Sequence, residues 1–195
     1  MIEWLMHIDT QLFLFLNGIS SPVADFIMYW LSHREIWIPL YLFLVYLLYR
    51  YYGKMAILLV ILALLLFAIS DRVSVVAFKD VFQRLRPCHE PTLEGLVYLP
   101  HGRCGGKYGF ISSHASNTFS LAAFMALLFW NKFRFMAIFM LVWSSLVSYS
   151  RVYLGVHYPG DIIAGGIVGA IEAFLIFRLW LWAKTWFKVG KEKQA

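Results

Sequence analysis

The stretch SRVYLGVHYPGD, residues 150–161, places an arginine, a histidine and an aspartate in one short connection between two apolar segments. Histidine serves enzymes as a nucleophile or as a proton donor, and a carboxylate hydrogen-bonded to it holds one tautomer and stabilises the charge that forms. Asp161 follows His157 by four residues, so it is the candidate for that role. Arg151 adds a planar fork of N–H donors that fits phosphate oxygens. These residue types together favour transfer of a phosphoryl group.

Two further polar stretches carry groups that suit the same chemistry. KDVFQRLRP, residues 79–87, supplies Lys79 and Arg86, whose fixed charges can stabilise the negative charge that spreads over a phosphoryl group during transfer. ISSH, residues 111–114, precedes an apolar segment, and backbone N–H groups at the start of a helix attract anions. With His114 there are two histidines: one would attack phosphorus as a neutral imidazole, and the other, protonated, would give the leaving oxygen its proton.

Each of these residues also has an ordinary structural explanation when it is taken alone. Lys79 or Arg86 could reach lipid head groups, His114 could cap a helix, and Asp161 follows a Pro-Gly pair as a good helix-start residue. Three separate segments that all deliver phosphate-compatible groups to one surface are better explained by a shared site.

The elements that must position these residues are membrane helices. The 195-residue chain is 61% hydrophobic and 14% charged, against about 45–50% and about 25% in soluble proteins. Runs such as MAILLVILALLLFAIS, residues 55–70, continue too long for a soluble core helix. The formal charge of +6 fits membrane interfaces and anionic lipid, and no nucleic-acid motif accompanies it. We expect one integral membrane domain over residues 1–195.

The predicted fold is an all-α, polytopic transmembrane helical bundle. Gly18 and Pro22 interrupt the first apolar region, 11–32, so that region reads either as a short sixth span, which is favoured, or as a re-entrant hairpin. Gly165 and Gly169, four residues apart, predict close approach of another helix. Glu172, one turn later, is expected to form a buried hydrogen bond. The five firm spans are 36–52, 55–78, 112–130, 134–150 and 160–183.

Basic residues indicate the orientation of the bundle. Eight of the 17 lie on the side of the three polar stretches, where an anion site accounts for them; the other nine flank the tight turns and the tail. Counting only the nine, the rule that Lys and Arg stay cytoplasmic places the site at the extracytoplasmic helix ends of a bacterial inner (cell) membrane, facing the periplasm or exterior. The nine are Arg50, Lys54, Lys132, Arg134, Arg178, Lys184, Lys188, Lys191 and Lys193.

The three polar stretches resemble the signature motifs of the type-2 phosphatidic acid phosphatase superfamily, K-x6-R-P, P-S-G-H and S-R-x5-H-x3-D. The first and third match at every specified position, whereas Ile111 and Ser113 stand where the second motif has Pro and Gly. The resemblance implies a lipid phosphatase that needs neither metal nor cofactor. His157 would form a phosphohistidine, Asp161 would orient it, and His114 would be the general acid. The phosphate-binding residues that the resemblance implies are Lys79, Arg86, Ser112, Ser113 and Arg151.

Cys88 and Cys104 lie in the predicted outward loop, 80–110, together with two histidines. Their spacing fits no common zinc pattern, so no metal site is predicted. In an extracytoplasmic loop the two cysteines are expected to form a disulfide, the alternative being two free thiols. Other residues of this loop could help to select the substrate head group: Arg84, Arg103, Lys107 and several aromatics.

The sequence therefore predicts dephosphorylation of a membrane lipid phosphate or diphosphate. Undecaprenyl diphosphate ranks first because the chain is small and its motifs are undecorated; phosphatidylglycerophosphate, phosphatidic acid and lipid A phosphates follow. The alternatives are a lipid phosphotransferase and a non-catalytic binder or transporter of anionic lipid. A vanadium-dependent haloperoxidase, a soluble relative with this motif pattern, is disfavoured by the spans. The expected partner is the lipid substrate, with no nucleic acid, and the sequence does not determine an oligomeric state.

Overall fold

The computed structural model describes residues 2–192 of the 195-residue chain, and the side chains of residues 3–186. Residues 2–192 form helices joined by loops and include no strand, although Leu85 and Tyr108 form an isolated β-bridge. The all-α prediction is confirmed. The α-helices are α1 (Ile2–Asn17), α2 (Pro22–Ser32), α3 (Ile38–Tyr52), α4 (Ala56–Val73), α5 (Asp80–Phe82), α6 (Ser113–Phe129), α7 (Arg134–Tyr153) and α8 (Pro159–Glu192).

Shorter helical turns connect these elements. A π-helix joins α4 to α5 and brings the end of the apolar run to the first polar stretch. The chain reverses between α3 and α4 at Gly53, whose φ of +56° is accessible to glycine with little strain. The π-helix is Ser74–Lys79, and the 3₁₀ helices are Arg34–Trp37, Gly53–Met55, Pro87–His89 and Pro91–Leu93.

Within the described residues, three helical segments are long and apolar enough to cross a membrane: Arg34–Phe82, Arg134–Tyr153 and Pro159–Trp186. A fourth would be the pair α1 and α2, if it is one broken span. The five or six predicted spans are therefore not confirmed. Two of them lie inside one 49-residue segment. A third corresponds to α6, whose 17 residues extend about 26 Å at 1.5 Å per residue, short of the roughly 30 Å bilayer core.

The predicted interruption in the first apolar region is confirmed. The chain bends by 118° between α1 and α2. This geometry suits either a broken span or a re-entrant loop. The Ser21 hydroxyl accepts a hydrogen bond from the Ala24 N–H (3.2 Å) and caps α2, and Pro22 occupies its first turn. Asp25 accepts hydrogen bonds from the hydroxyls of Tyr153 (2.6 Å) and Tyr98 (2.8 Å). These bonds connect α2 to α7 and to the long loop between α5 and α6, residues 83–112.

Helix α6 lies at the centre of the bundle and packs against α4, α7 and α8. The close helix approach that the glycines predicted is the packing of α8 on α6: a Cβ added at Gly165 would lie 2.8 Å from the Ser112 carbonyl oxygen. Glu172, further along α8, is buried, but neither carboxylate oxygen has a hydrogen-bond partner among the described residues. The hydrogen bond expected for Glu172 stays a prediction: the Ser70 side chain of α4 lies near its carboxylate, but no contact among the described residues meets hydrogen-bond geometry.

The two tight turns lie together at one end of the bundle, here called the turn end. The Tyr52 hydroxyl, at the end of α3, donates to the Leu128 carbonyl of α6 (2.7 Å), and the Lys132 ammonium lies 3.9 Å from the centre of the Tyr52 ring. Trp180 of α8 packs edge-on against the same ring. Basic residues thus lie at this end, as predicted. Three of the nine have side chains outside the described residues: Lys188, Lys191 and Lys193.

Candidate active site

A buried histidine–carboxylate pair forms the centre of the opposite end of the bundle, the site end. His157 lies between α7 and α8, and Asp161 lies in the first turn of α8, where a carboxylate also complements the helix dipole. The distance between His157 Nδ1 and Asp161 Oδ2 is 3.3 Å, and the same oxygen accepts the Tyr158 N–H (3.0 Å). Both side chains are buried. The predicted spacing of four residues therefore brings the two groups into contact.

Arg86 determines the tautomer of this histidine. Its Nη1 lies 3.2 Å from His157 Nε2 and also donates to the Val156 carbonyl oxygen (3.3 Å). Because a guanidinium can only donate, Nε2 must accept, and the ring proton belongs to Nδ1, which donates to Asp161. The Nε2 lone pair thus lies on the side of the cations, where an anion would bind.

A second arginine holds Asp161 from the other side. Arg84 donates through Nη1 to Asp161 Oδ1 (3.0 Å) and through Nη2 to Asp9 Oδ2 (2.8 Å). Its guanidinium also lies 3.9 Å from the centre of the Tyr158 ring. Asp9 Oδ1 accepts the Gly160 N–H (2.7 Å), which attaches α1 to the start of α8. Sequence reasoning missed this role of Asp9 and Arg84; the available signal was an acidic residue within an apolar helix.

The arginines are held by a short backbone ladder between two parts of the long loop. Arg86 N–H donates to the Lys107 carbonyl (3.1 Å), and Gly109 N–H donates to the Arg84 carbonyl (2.9 Å). A Cβ at Gly109 would lie 3.1 Å from Asp161 Oδ2 and 3.2 Å from Arg86 Cγ, so glycine permits this close approach. The structure also joins the two loop cysteines, Cys88 and Cys104, in a disulfide.

The start of α6 brings the second motif to the same place. Lys79 donates to the Ser113 hydroxyl, which also shares a hydrogen bond with the Ser74 hydroxyl (2.6 Å). Ser112 is completely buried; its hydroxyl accepts the Ala115 N–H (3.4 Å) as the N-cap, and its own N–H donates to the Asp161 carbonyl (3.1 Å). The Ser112 side chain thus shapes the helix start, while the Ser113 side chain faces the cation.

Two arginine N–H groups at the site have unused hydrogen-bonding capacity. Nη1 of Arg151 donates to the Ser32 hydroxyl. The buried Nε atoms of Arg86 and Arg151 have no hydrogen-bond partner among the described residues. Since a buried donor without a partner costs about 1–3 kcal/mol, such atoms are expected where an anion binds.

His114 lies in the first turn of α6, and its side chain is exposed. The charges of Lys79, Arg86 and Arg151 act on both histidines, so the three cations lie near both rings. Burial lowers the pKa of His157 well below its usual range, and these positive charges lower it further. The structure therefore brings together all the predicted site residues: Lys79, Arg86, Ser112, Ser113, His114, Arg151, His157 and Asp161.

An apolar cavity of about 340 Å³ lies between α3, α4, α6 and α7. Its lining includes Asn117 and Thr118, about one helical turn after His114. Deeper in the bundle it is lined by Leu48, Leu121 and Met125. An apolar chain attached to a group at the site would have space in this cavity.

Comparison with known proteins agrees with this arrangement. A family model described as the PAP2 superfamily matches residues 54–185. A lipid A 4′-phosphatase of Bacteroides thetaiotaomicron is 41% identical over 179 residues, which cover 91% of this chain and 79% of that protein. The lipid A 4′-phosphatase of Porphyromonas gingivalis is 39% identical over 185 residues, covering 94% and 78%. An undecaprenyl-diphosphatase of Sulfolobus acidocaldarius is 33% identical over 172 residues, covering 86% and 76%.

The fold is also similar to a solved structure. A transmembrane PAP2-type phosphatidylglycerolphosphate phosphatase of Bacillus subtilis superimposes with a TM-score of 0.68, covering 90% of this chain and 85% of that one. The two sequences are 22% identical, so this likeness bears on the fold alone.

Proposed function

Because the chain belongs to the PAP2 superfamily and is therefore a membrane hydrolase acting on lipid phosphate, we propose that it removes phosphate from a phosphorylated glycolipid of the lipid A type. The single domain carries out this reaction through a phosphohistidine at the outer surface of the inner membrane. The observation that carries the mechanism is the orientation of His157, whose Nδ1 faces Asp161 at 3.3 Å while Nε2 faces Arg86 at 3.2 Å.

In the first step of the proposed reaction, Arg86, Arg151 and Lys79 hold the phosphate oxygens. Arg86 moves its Nη1–H from His157 Nε2 to a phosphate oxygen, which frees the Nε2 lone pair. Nε2 then attacks phosphorus, the bond from phosphorus to the lipid oxygen breaks, and the leaving oxygen takes a proton from the His114 imidazolium. The positive charge that forms on the His157 ring is stabilised by Asp161 through Nδ1–H. The cations stabilise the charge on the equatorial oxygens and require no metal ion for that purpose.

In the second step, water attacks the phosphorus of the phosphohistidine, and neutral His114 accepts a proton from that water. The bond from phosphorus to Nε2 breaks, and inorganic phosphate leaves. His157 returns to the neutral tautomer that Arg86 and Asp161 select. The apolar cavity holds part of one lipid chain throughout.

The earlier preference for undecaprenyl diphosphate is not supported. The relatives with 41% and 39% identity are both lipid A 4′-phosphatases, whereas the undecaprenyl-diphosphatase is 33% identical. Chain size and undecorated motifs favoured undecaprenyl diphosphate, but neither property indicates which head group the site binds. A lipid A phosphate, which was among the lower-ranked substrates, is the better proposal.

Phosphate release from purified protein in mixed micelles tests this function. We expect release from lipid A, and loss of at least 1,000-fold in His157→Ala, with unchanged release in His7→Ala, which removes an exposed histidine of α1. Absence of release from every lipid phosphate tested would instead indicate a binder or transporter. Loss of phosphate from lipid A that requires an added lipid alcohol, with a new lipid phosphate formed in place of inorganic phosphate, would indicate a phosphotransferase.

A further inference from the structure

A second pocket, more polar than the apolar cavity, shares Arg151 with the phosphate site, and its other lining residues have no part in the proposed mechanism. It has a volume of about 220 Å³ and lies between α2, the end of α7 and the disulfide-closed loop. We call it the head-group pocket and define it by Tyr29, His33, His101, Arg103 and Arg151. Pockets that enclose a whole drug-sized ligand measure roughly 300–1,000 Å³, so this one suits a single ring rather than an entire lipid head.

Aromatic rings form one wall of the head-group pocket. The Tyr29 ring contacts two imidazoles at tilted angles, with ring centres 4.1 Å from His33 and 4.3 Å from His101. His33 is fixed further by a contact of 2.8 Å between its Nδ1 and the Tyr29 carbonyl oxygen. The electron-rich face of an aromatic ring attracts polarised C–H groups, which a sugar ring presents on its faces. Prenyl chains and glycerol offer no such ring.

Arginines make the pocket continuous with the phosphate site. Arg151 lines the head-group pocket and also acts on both catalytic histidines. Arg103 lines the same pocket from the loop, and its side chain is exposed. A ring in this pocket would therefore lie close enough to carry the phosphate that His157 attacks. The oxygen substituents of the ring could accept hydrogen bonds from the Arg103 guanidinium, which has five N–H donors.

We propose that the head-group pocket binds the sugar ring that carries the scissile phosphate, stacked on the exposed His101 ring, which Tyr29 supports, and hydrogen-bonded to Arg103. This proposal rests on the proposed phosphatase function and adds the residues that would select a sugar phosphate on a lipid anchor over glycerol and prenyl phosphates.

The test compares two substrates in the same micelles, lipid A and phosphatidic acid, for the wild type, His101→Ala and Arg103→Ala. The matched control is Lys107→Ala, which also removes a positive charge from the loop. The Lys107 ammonium lies over Tyr108 at 5.6 Å, and the residue does not line the pocket. We expect kcat/KM for lipid A to fall about 10-fold in Arg103→Ala, since a charge-assisted hydrogen bond contributes about that factor, and about 5-fold in His101→Ala through lost stacking, mainly through KM in both. For phosphatidic acid, all four proteins should agree within about twofold.

The outcomes separate this proposal from the function on which it rests. Equal losses on both substrates would overturn selective recognition, because a general loss of charge or of folding does not distinguish head groups. No loss on either substrate, or a wild type that hydrolyses phosphatidic acid but not lipid A, would also overturn it while leaving the phosphatase intact. A wild type that releases phosphate from neither lipid would contradict the proposed function itself.

Discussion

At the scale of single residues, the site depends on one imidazole with two different environments. One nitrogen faces a buried carboxylate and the other faces a guanidinium. Because arginine only donates and an ionised carboxylate only accepts, this arrangement selects the tautomer that leaves the Nε2 lone pair toward phosphate. His157 and Asp161 were predictable from their spacing. The contribution of Arg86 to the tautomer was not, since it depends on a contact between residues 71 positions apart.

Asp161→Asn tests this orientation. The amide can donate to Nδ1 and thereby favour the tautomer that protonates Nε2, and it no longer stabilises the positive charge on the ring. We expect kcat for phosphate release to fall by roughly 10³-fold or more, with little change in KM. Thermal unfolding of the variant in detergent provides the control for folding. A loss of less than about 10-fold in a folded variant would contradict the role of Asp161.

The pH dependence of hydrolysis tests the protonation states. Attack requires neutral His157, so activity rises with pH through the pKa of this residue. Burial and the nearby cations lower that pKa, so the acid limb of kcat/KM should lie below about 6.5, the usual histidine value. Desolvation and the same cations also lower the pKa of His114. The alkaline limb of kcat/KM, where His114 loses the proton that the leaving oxygen needs, should therefore also shift to lower pH.

The acid limb of kcat, which reports the enzyme–substrate complex, should lie at a different pH from the acid limb of kcat/KM. Bound phosphate brings negative charge beside the cations that surround His157, which raises the pKa of this residue in the complex. The acid limb of kcat should therefore lie at higher pH than the acid limb of kcat/KM. Activity that changes monotonically between pH 4 and 9 would contradict the assigned pair of histidines.

At the scale of elements, the packing of α8 on α6 positions the catalytic carboxylate. Gly165 allows α8 to contact the first turn of α6, and the Ser112 N–H donates to the Asp161 carbonyl at the same contact. The glycine pattern indicated a close helix neighbour, but it could not identify which helix. That choice depends on which surfaces fit when the bundle assembles.

Gly165→Val tests this packing. The added side chain would meet the Ser112 carbonyl oxygen, and overpacking of this kind typically costs about 1–3 kcal/mol. We expect the unfolding midpoint in detergent to fall and kcat to fall with it, because Asp161 moves with α8. Gly106→Ala is the matched control, since a Cβ there has no neighbour within 4 Å. Equal midpoints for the two variants would show that α6 and α8 are not in such close contact.

At the scale of the whole molecule, the turn end and the site end must face opposite sides of the membrane if the orientation is as proposed. The three polar stretches meet at the site end, and the basic turns meet at the other. The cysteine pair is joined in a disulfide, as favoured outside the cytoplasm. Because the two native cysteines are paired, a single new cysteine at either end shows by its labelling which side of the membrane that end faces.

Lys107→Cys should react with a membrane-impermeant maleimide in intact cells, because Lys107 is exposed in the long loop. Lys54→Cys, in the exposed turn between α3 and α4, should react only after the cells are opened. The reverse pattern would place the site in the cytoplasm. Phosphate release by each variant shows that the labelled protein is folded.

By itself, the sequence determined that the chain is an apolar helical bundle whose polar stretches match the motifs of a lipid phosphatase family, because hydropathy and motif spacing are local properties that do not depend on packing. Only the tertiary structure decided the contacts between distant segments. Asp9 and Arg84, 75 positions apart, meet because α1 packs across the start of α8. The head-group pocket likewise combines α2, α7 and the long loop. Such contacts depend on how whole helices pack together, and a short stretch of sequence does not determine that packing.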